Sequence, residues 1–503
     1  DWTPATLQAI LHEELRGHEV LVVSNREPYI HVRAPEGIRV QRPASGLVTA
    51  LEPVMRACSG TWIAHGSGSA DREVVDARDR IGVPSRDPAY QLRRVWLTPE
   101  QEAGYYYGFA NEGLWPLCHI AHVRPTFRSA DWEKYRDVNA LFARAVVDEA
   151  DSPDPIVLVQ DYHFALLPRM IRDALPNATI ITFWHIPWPN PEAFAICPWR
   201  EELLDGLLGS SILGFHTQFH CNNFVDTVDR LLEARVDREM FNVSYRRATT
   251  AVKRYPISVD WPPAPQFTER PVAECRRTIR ERHALPVDHA VGIGVDRLDY
   301  TKGIEERLRA VERLLELHPE RVGRFTFIQI AAPTRATIPE YQDCEARVRA
   351  LTARINARFA GGGPPPILLL VQHHEPREVA EYFRGADLCF VSSLHDGMNL
   401  VAKEFVSARD DERGVLILSR FTGASRELPE ALLVNPYDTD ECAASLELAL
   451  TMPPGEQRAR LQLMRGLIRT FNVYRWAGRM LIDAAAMRRR AHLTAQVNAA
   501  ADR

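Results

Sequence analysis

The chain has 503 residues, 46% hydrophobic and 25% charged, a composition able to bury large cores and a length that suggests two to four domains. Lys and Arg number 61 against 66 Asp and Glu, for a net charge of −5. That near-balance argues against nucleic acid as a partner, which would call for a basic excess, but leaves room for a basic pocket. No apolar run approaches the ~18 residues that span a bilayer, so no membrane partner is expected. The opening Asp1-Trp2-Thr3-Pro4 carries no basic-then-apolar leader. None of the eight cysteines forms a Cys-x-x-Cys pair. Several lie in apolar runs, as Cys389 does, and they read as reduced, buried thiols of a cytoplasmic protein.

In chain order, short apolar runs predict strands at 20–24, 156–160, 179–184, 212–216, 291–295, 325–331, 367–371, 388–392 and 415–419. Most are apolar throughout, as parallel strands covered on both faces should be. Amphipathic helices lie between them. After Gly303, Ile304, Leu308, Val311 and Leu315 share one helical face, and His318-Pro319 ends it. The alternation predicts α/β architecture with two doubly wound, Rossmann-like parallel-sheet domains. The segment 255–265 holds four prolines and reads as the boundary. The expected domains are 1–258 and 266–471, with a last helix, about 472–503, packing back on the first.

In such sheets ligands bind beyond the carboxyl ends of strands. Charged and polar residues gather there: Asn25 and Arg26; Asp161 to His163; His185; Arg297 to Gly303; Arg335; and Asp396 to Leu400. Arg297 and Lys302 flank a strand-to-helix turn, where two cations and free N–H groups suit a diphosphate. Gly397, Met398, Asn399 and Leu400 open another helix, whose Glu404 could take both hydroxyls of a ribose. Two competing motifs are weak. Gly292-Ile-Gly294-Val-Asp-Arg297 lacks the third glycine of a dinucleotide fingerprint, which disfavours a nicotinamide enzyme. Asp438-Thr-Asp440 imitates a metal-binding Asp-x-Asp but reads as a turn.

The segments 24–26, 113–116, 161–163, 185–187, 297–303 and 396–404 resemble the trehalose-6-phosphate synthase family, over about residues 20–485. The resemblance implies a GT-B fold, two domains facing a cleft, and retaining glucosyl transfer from UDP-glucose to glucose 6-phosphate. The products would be α,α-trehalose 6-phosphate and UDP. It implies that Arg26, Tyr106, Trp115 and Arg335 hold the acceptor phosphate and that Asp161 binds the acceptor. Gly46 would belong to the donor loop, His185 and Asp396 would bind the transferred glucose, and Arg297 and Lys302 the diphosphate. Gly397, Met398, Asn399 and Leu400 would line the donor site, with Glu404 on the ribose. Asp161, His185, Arg297, Lys302 and Asp396 form the expected catalytic set. The family's front-face mechanism needs no protein nucleophile, no metal and no cofactor. Departures are Ser45 where Gly is usual, His395 where Arg is usual, and Glu27-Pro28-Tyr29 after Arg26, a continuation shared with glucosylglycerol-phosphate synthases. Glycerol 3-phosphate is therefore the rival acceptor, and a non-catalytic sugar-phosphate-binding regulator the rival class. A homo-oligomer stays open.

Overall fold

A computed structural model describes residues 1–15, 17–43 and 46–501. The Ser45 departure lies outside the described residues. The chain forms two compact units, Asp1–Ile257 with Val473–Arg503, and Ser258–Asn472.

In the first unit a ten-stranded sheet runs, edge to edge, Arg235–Asp237, Asn242–Tyr245, Ala248–Arg254, Ile212–Phe215, Thr179–Phe183, Ile156–Gln160, Val20–Ser24, Thr61–His65, Tyr90–Val95 and Arg80–Val83. Its middle is parallel from Ala248–Arg254 to Tyr90–Val95. The two strands at one end and Arg80–Val83 at the other add antiparallel edges. The central strands Val20–Ser24, Ile156–Gln160 and Thr179–Phe183 are buried along their whole length, which is why they read as continuous apolar runs. Trp476 of the final helix packs its ring 5.1 Å from Phe183, and its Nε1 donates to the Tyr255 carbonyl. That helix, Val473–Ala501, is held to this unit by contacts of this kind.

The second unit holds a six-stranded, wholly parallel sheet in the order Ile367–Leu370, Phe325–Ala332, Ala290–Arg297, Leu388–Val391, Val415–Ser419, Leu432–Val434. Counted in chain order this is the 3-2-1-4-5-6 arrangement of dinucleotide-type doubly wound sheets, and the seven-stranded parallel core of the first sheet repeats it with Ala248–Arg254 added as a seventh strand. Each unit therefore has a point where the winding reverses. In the first it lies between Val20–Ser24 and Ile156–Gln160; in the second, between Ala290–Arg297 and Leu388–Val391.

Both weak motifs resolve as structure. A Cβ on Gly292 would meet Phe327 and Leu388 side chains at 2.8 and 2.9 Å, and one on Gly294 would meet Arg307 and Gln329 at 2.5 Å. These glycines make room for packing. Asp438 caps the helix Thr439–Thr451 through the Glu441 N–H, and Asp440 receives Arg313 at 2.6 Å.

Candidate active site

At the first reversal, strand Val20–Ser24 delivers Asn25 and Arg26. Ser24 Oγ donates to the Arg26 carbonyl at 2.6 Å and accepts from Trp62 Nε1 at 2.8 Å, which fixes the backbone while the Arg26 side chain is exposed. The following Glu27-Pro28-Tyr29 is buried. Glu27 takes Arg94 Nε at 2.8 Å, and burial, the largest cause, pushes its carboxyl up to about 9, beside Asp71. Tyr29 donates to Glu52 at 2.6 Å. These three residues are built into the core.

The next strand ends at Gln160, and Asp161 follows at φ 79°, ψ 177°, a conformation that side chains other than glycine's seldom adopt. Its Oδ1 accepts the Tyr162 N–H at 2.9 Å and the His185 N–H at 3.1 Å, so one carboxylate joins the ends of two neighbouring strands. His185 Nε2 lies 2.9 Å from Gln160 Oε1. Donation to that oxygen leaves Nδ1 as the acceptor, and burial drives the imidazole down to about 3. His185 is thus a neutral ring near pH 7.

Tyr106 and Trp115 come from a segment that sequence patterning does not reveal, a π-helix over Ala103–Leu114 followed by a helical turn, Trp115–His119. Wide π turns occur at functional sites. Gly104 and Gly108 let it press on the helix Ser129–Glu149, since added Cβ atoms would meet Lys134 at 2.6 Å and Asp131 at 2.4 Å. Tyr106 stacks on His163 at 5.8 Å, 10° from parallel, and Trp115 lies 5.8 Å from Tyr162. Tyr105, unmarked in the sequence, donates to Asn25 at 2.7 Å. Trp115 is 5% exposed, so its flat face is spent on packing. Gly46 opens the helix Gly46–Cys58.

At the second reversal, Arg297 ends its strand and a short turn, Tyr300–Lys302, leads to Gly303 at φ 65°. A Cβ there would lie 2.1 Å from the Ser392 carbonyl oxygen, so glycine is required. Lys302 Nζ crosses the reversal to Asp396 Oδ2 at 2.9 Å. Ser393 and Asn399 each donate to the same oxygen at 3.2 Å. Asn399, at φ 98°, caps the helix Leu400–Ala408 through Ala402 N–H. The loop before it is pinned by Gly423, whose N–H reaches the Asp396 carbonyl and where a Cβ would meet the Gly397 oxygen at 2.0 Å. Gly397 and Met398 are buried, and the N–H groups that open this helix lie outside its own hydrogen-bond ladder. Glu404, one turn in, reaches solvent but is surrounded by protein, and that burial pushes its carboxyl up to about 7.

Arg335 follows the neighbouring strand at φ 47° and is 8% exposed. Its Nη1 donates to Tyr341 Oη at 2.5 Å and lies 3.8 Å from Asp299 Oδ2. The expectation of a guanidinium standing ready for phosphate thus meets a buried one already facing a carboxylate. Asp299 itself was not singled out by sequence reasoning, although it stands between two cations in the stretch 297–302. Among the described residues no group of three or more His, Cys, Asp or Glu is placed to hold a metal ion, and no helix is long and apolar enough to cross a membrane.

Residues 18–486 match the model of glycosyltransferase family 20. The chain belongs to that family. It is 38% identical over 93% of its length to a trehalose-6-phosphate synthase of Mycolicibacterium vanbaalenii, covering 96% of that protein. A Mycolicibacterium smegmatis trehalose-6-phosphate synthase is 37% identical over 94% of the chain and 94% of its own length. Among solved structures, an Escherichia coli protein bound with UDP-2-fluoro glucose superposes with a TM-score of 0.82 at 31% identity, over 93% of this chain and 99% of that one. A Burkholderia xenovorans UDP-forming α,α-trehalose-phosphate synthase in complex with glucose-6-phosphate gives 0.81 at 33%, over 93% and 99%. The expected α/β class, with two Rossmann-like parallel-sheet units of GT-B type, is the one found, and the family is one of enzymes.

Proposed function

We propose that this family 20 enzyme moves glucose from UDP-glucose to the anomeric hydroxyl of glucose 6-phosphate with retention, releasing UDP and α,α-trehalose 6-phosphate. The observation that carries this reading is the 38% identity to trehalose-6-phosphate synthases over 93% of the chain, supported by Arg26, Asp161, His185, Arg297, Lys302, Arg335 and Asp396, which lie in or just before the segments that follow strands. The unit Ser258–Asn472 is the donor domain and the unit built on Val20–Ser24 the acceptor domain. Arg297, Lys302 and the helix opening at Leu400 take the diphosphate, and Gly46 lies near the donor. Glu404 takes the ribose, and Asp396 with neutral His185 takes the transferred glucose. Asp161 holds the acceptor sugar, and Arg26, Tyr106, Trp115 and Arg335 its phosphate.

The chemistry asks for charge on the leaving diphosphate and an acceptor held in line. Two cations and a helix start supply the first. The leaving diphosphate oxygen then takes the proton of the incoming hydroxyl, so no side chain need act as nucleophile. We read the reaction as independent of a metal, and the protein as cytoplasmic from its free, mostly buried cysteines. The burial of Glu27, Pro28 and Tyr29 supports glucose 6-phosphate over glycerol 3-phosphate as the acceptor. The test is product identification by NMR from nucleotide-glucose donors offered with glucose 6-phosphate, glycerol 3-phosphate or glucose. α,α-Trehalose 6-phosphate is expected; a glucosylglycerol phosphate, or no transfer, overturns the reading.

A further inference from the structure

Asp299 is fully buried, yet the groups around it belong to different parts of the proposed site. Its Oδ1 accepts the Thr301 N–H and the Thr301 hydroxyl, both at 2.8 Å, and its carbonyl accepts the Lys302 N–H at 3.1 Å. That end of the residue shapes the short turn from which Lys302 reaches Asp396. Its Oδ2 accepts from Tyr341 Oη at 3.3 Å and faces Arg335 Nη1 at 3.8 Å. The Tyr341 hydroxyl is itself the acceptor for Arg335, so phenol and carboxylate hold one guanidinium between them. Burial alone would raise the Asp299 carboxyl, but Arg335, Arg297 and Lys302 together hold it below the usual carboxylate range. The charge is therefore permanent near neutrality, with Arg335 facing it and Arg297 and Lys302 close enough to lower the carboxyl.

We infer that Asp299 is a positioning residue, a single buried charge that sets the acceptor-phosphate arginine, Arg335, against the donor-diphosphate cations, Arg297 and Lys302. The inference rests on the proposed function, which gives those cations their roles. Three like charges gathered to meet two anionic substrates repel one another; a fixed counter-charge with directed oxygens keeps them in place. Asp299 touches neither substrate. Its effect passes through Arg335 and the turn carrying Lys302, and misplacing reacting groups by about 1 Å can cost roughly 100-fold in rate.

The experiment compares Asp299→Asn, Arg335→Ala and the double variant with the unaltered enzyme, measuring kcat, the KM for each substrate, UDP affinity by calorimetry and thermal unfolding. Asparagine can still accept from Thr301 but carries no charge. The expected result for Asp299→Asn is a KM for glucose 6-phosphate raised about tenfold or more and kcat lowered about 100-fold. The double variant should be little worse than the worse single one, because both changes break one linkage. Should Asp299→Asn not fold, Tyr341→Phe removes the shared hydroxyl alone and should raise the same KM with a smaller loss of kcat. If the unaltered enzyme makes trehalose 6-phosphate and a folded Asp299→Asn matches it, or if the two substitutions multiply independently, the inference is wrong and the functional reading stands. If Asp299→Asn does not fold and Tyr341→Phe keeps the unaltered KM, the inference is likewise wrong. An unaltered enzyme without transferase activity overturns the functional reading itself, and this inference with it.

Discussion

Lys302→Met is the sharpest probe of the donor site. Methionine keeps the length of the stem and removes the charge. Lys302 Nζ is 2.9 Å from Asp396 Oδ2, and both side chains are 14% exposed, so the pair is screened from water without being fully desolvated. A cation about 4 Å from a diphosphate oxygen gains about 4 kcal/mol at an effective dielectric constant of 20. Part of this is offset, because the lysine must loosen its hold on Asp396 to serve the ligand. A net loss of about 2–4 kcal/mol in transition-state stabilisation is expected, roughly 30- to 1000-fold in kcat. The fold should survive: Asp396 keeps the Ser393 and Asn399 bonds, and breaking a part-buried pair costs about 1–3 kcal/mol. Initial rates by coupled UDP release, with unfolding curves as the control, provide the assay. Turnover within about threefold of the unaltered enzyme, in a folded variant, would refute the assignment of Lys302 to the leaving group.

The other expectations can be tested alongside. With its carboxyl held up at about 7, Glu404 is protonated below that pH and cannot accept from both ribose hydroxyls; UDP affinity should rise with pH through about 7, and Glu404→Gln should flatten that rise. Arg26→Ala should raise the KM for glucose 6-phosphate by about 10- to 100-fold with little change for UDP-glucose, as loss of a charge-assisted contact predicts, and unphosphorylated glucose should be almost unused by the unaltered enzyme. Exhaustive chelation should leave transfer intact; activity lost and then restored by magnesium would overturn the metal-free reading.

What the sequence made legible depended on whether each signal was local. Strands such as Ile156–Gln160 are buried on both faces and announce themselves as apolar runs. Tyr90–Val95 does not, because Arg93 and Arg94 interrupt it, and the buried Arg94 finds its partners, Glu27, Tyr29, His31 and Asp71, far away in the chain. Thr61–His65 begins and ends on polar residues, which leaves only Trp62, Ile63 and Ala64 as its apolar run. The π-helix of Ala103–Leu114 has no 3.6-residue stripe to detect, and its glycines answer to side chains of a later helix. The site divides in the same way. Lys302, Asp396 and Asn399 lie in turns whose chemistry is written in consecutive residues. Asp299 is recognisable as more than a turn cap only once Arg335 and Tyr341 are brought to it.

Three residues of the proposed site, Asp161, Arg335 and Asn399, have positive φ without being glycine. Asp161 is the clearest case, at φ 79° and ψ 177°, where a Cβ costs about 1–3 kcal/mol. Its Oδ1 receives two N–H groups, each worth about 1.5–3 kcal/mol to a charged acceptor, so the residue can be held there without net loss. Alanine at this position would forfeit both bonds and keep the strain, whereas glycine would forfeit the bonds and shed it. Glycine's freer unfolded chain takes back about 0.4–1 kcal/mol, leaving Asp161→Gly about 0.5–2 kcal/mol more stable than Asp161→Ala by chemical denaturation. Asparagine keeps the oxygen and should come nearest the unaltered protein in stability, yet it lacks the charge with which the acceptor is to be held. If the carboxylate is there for the acceptor, Asp161→Asn should fold and fail to transfer. Full activity in Asp161→Asn would reduce Asp161 to a backbone clamp, and an alanine variant as stable as the glycine one would remove the strain from the argument.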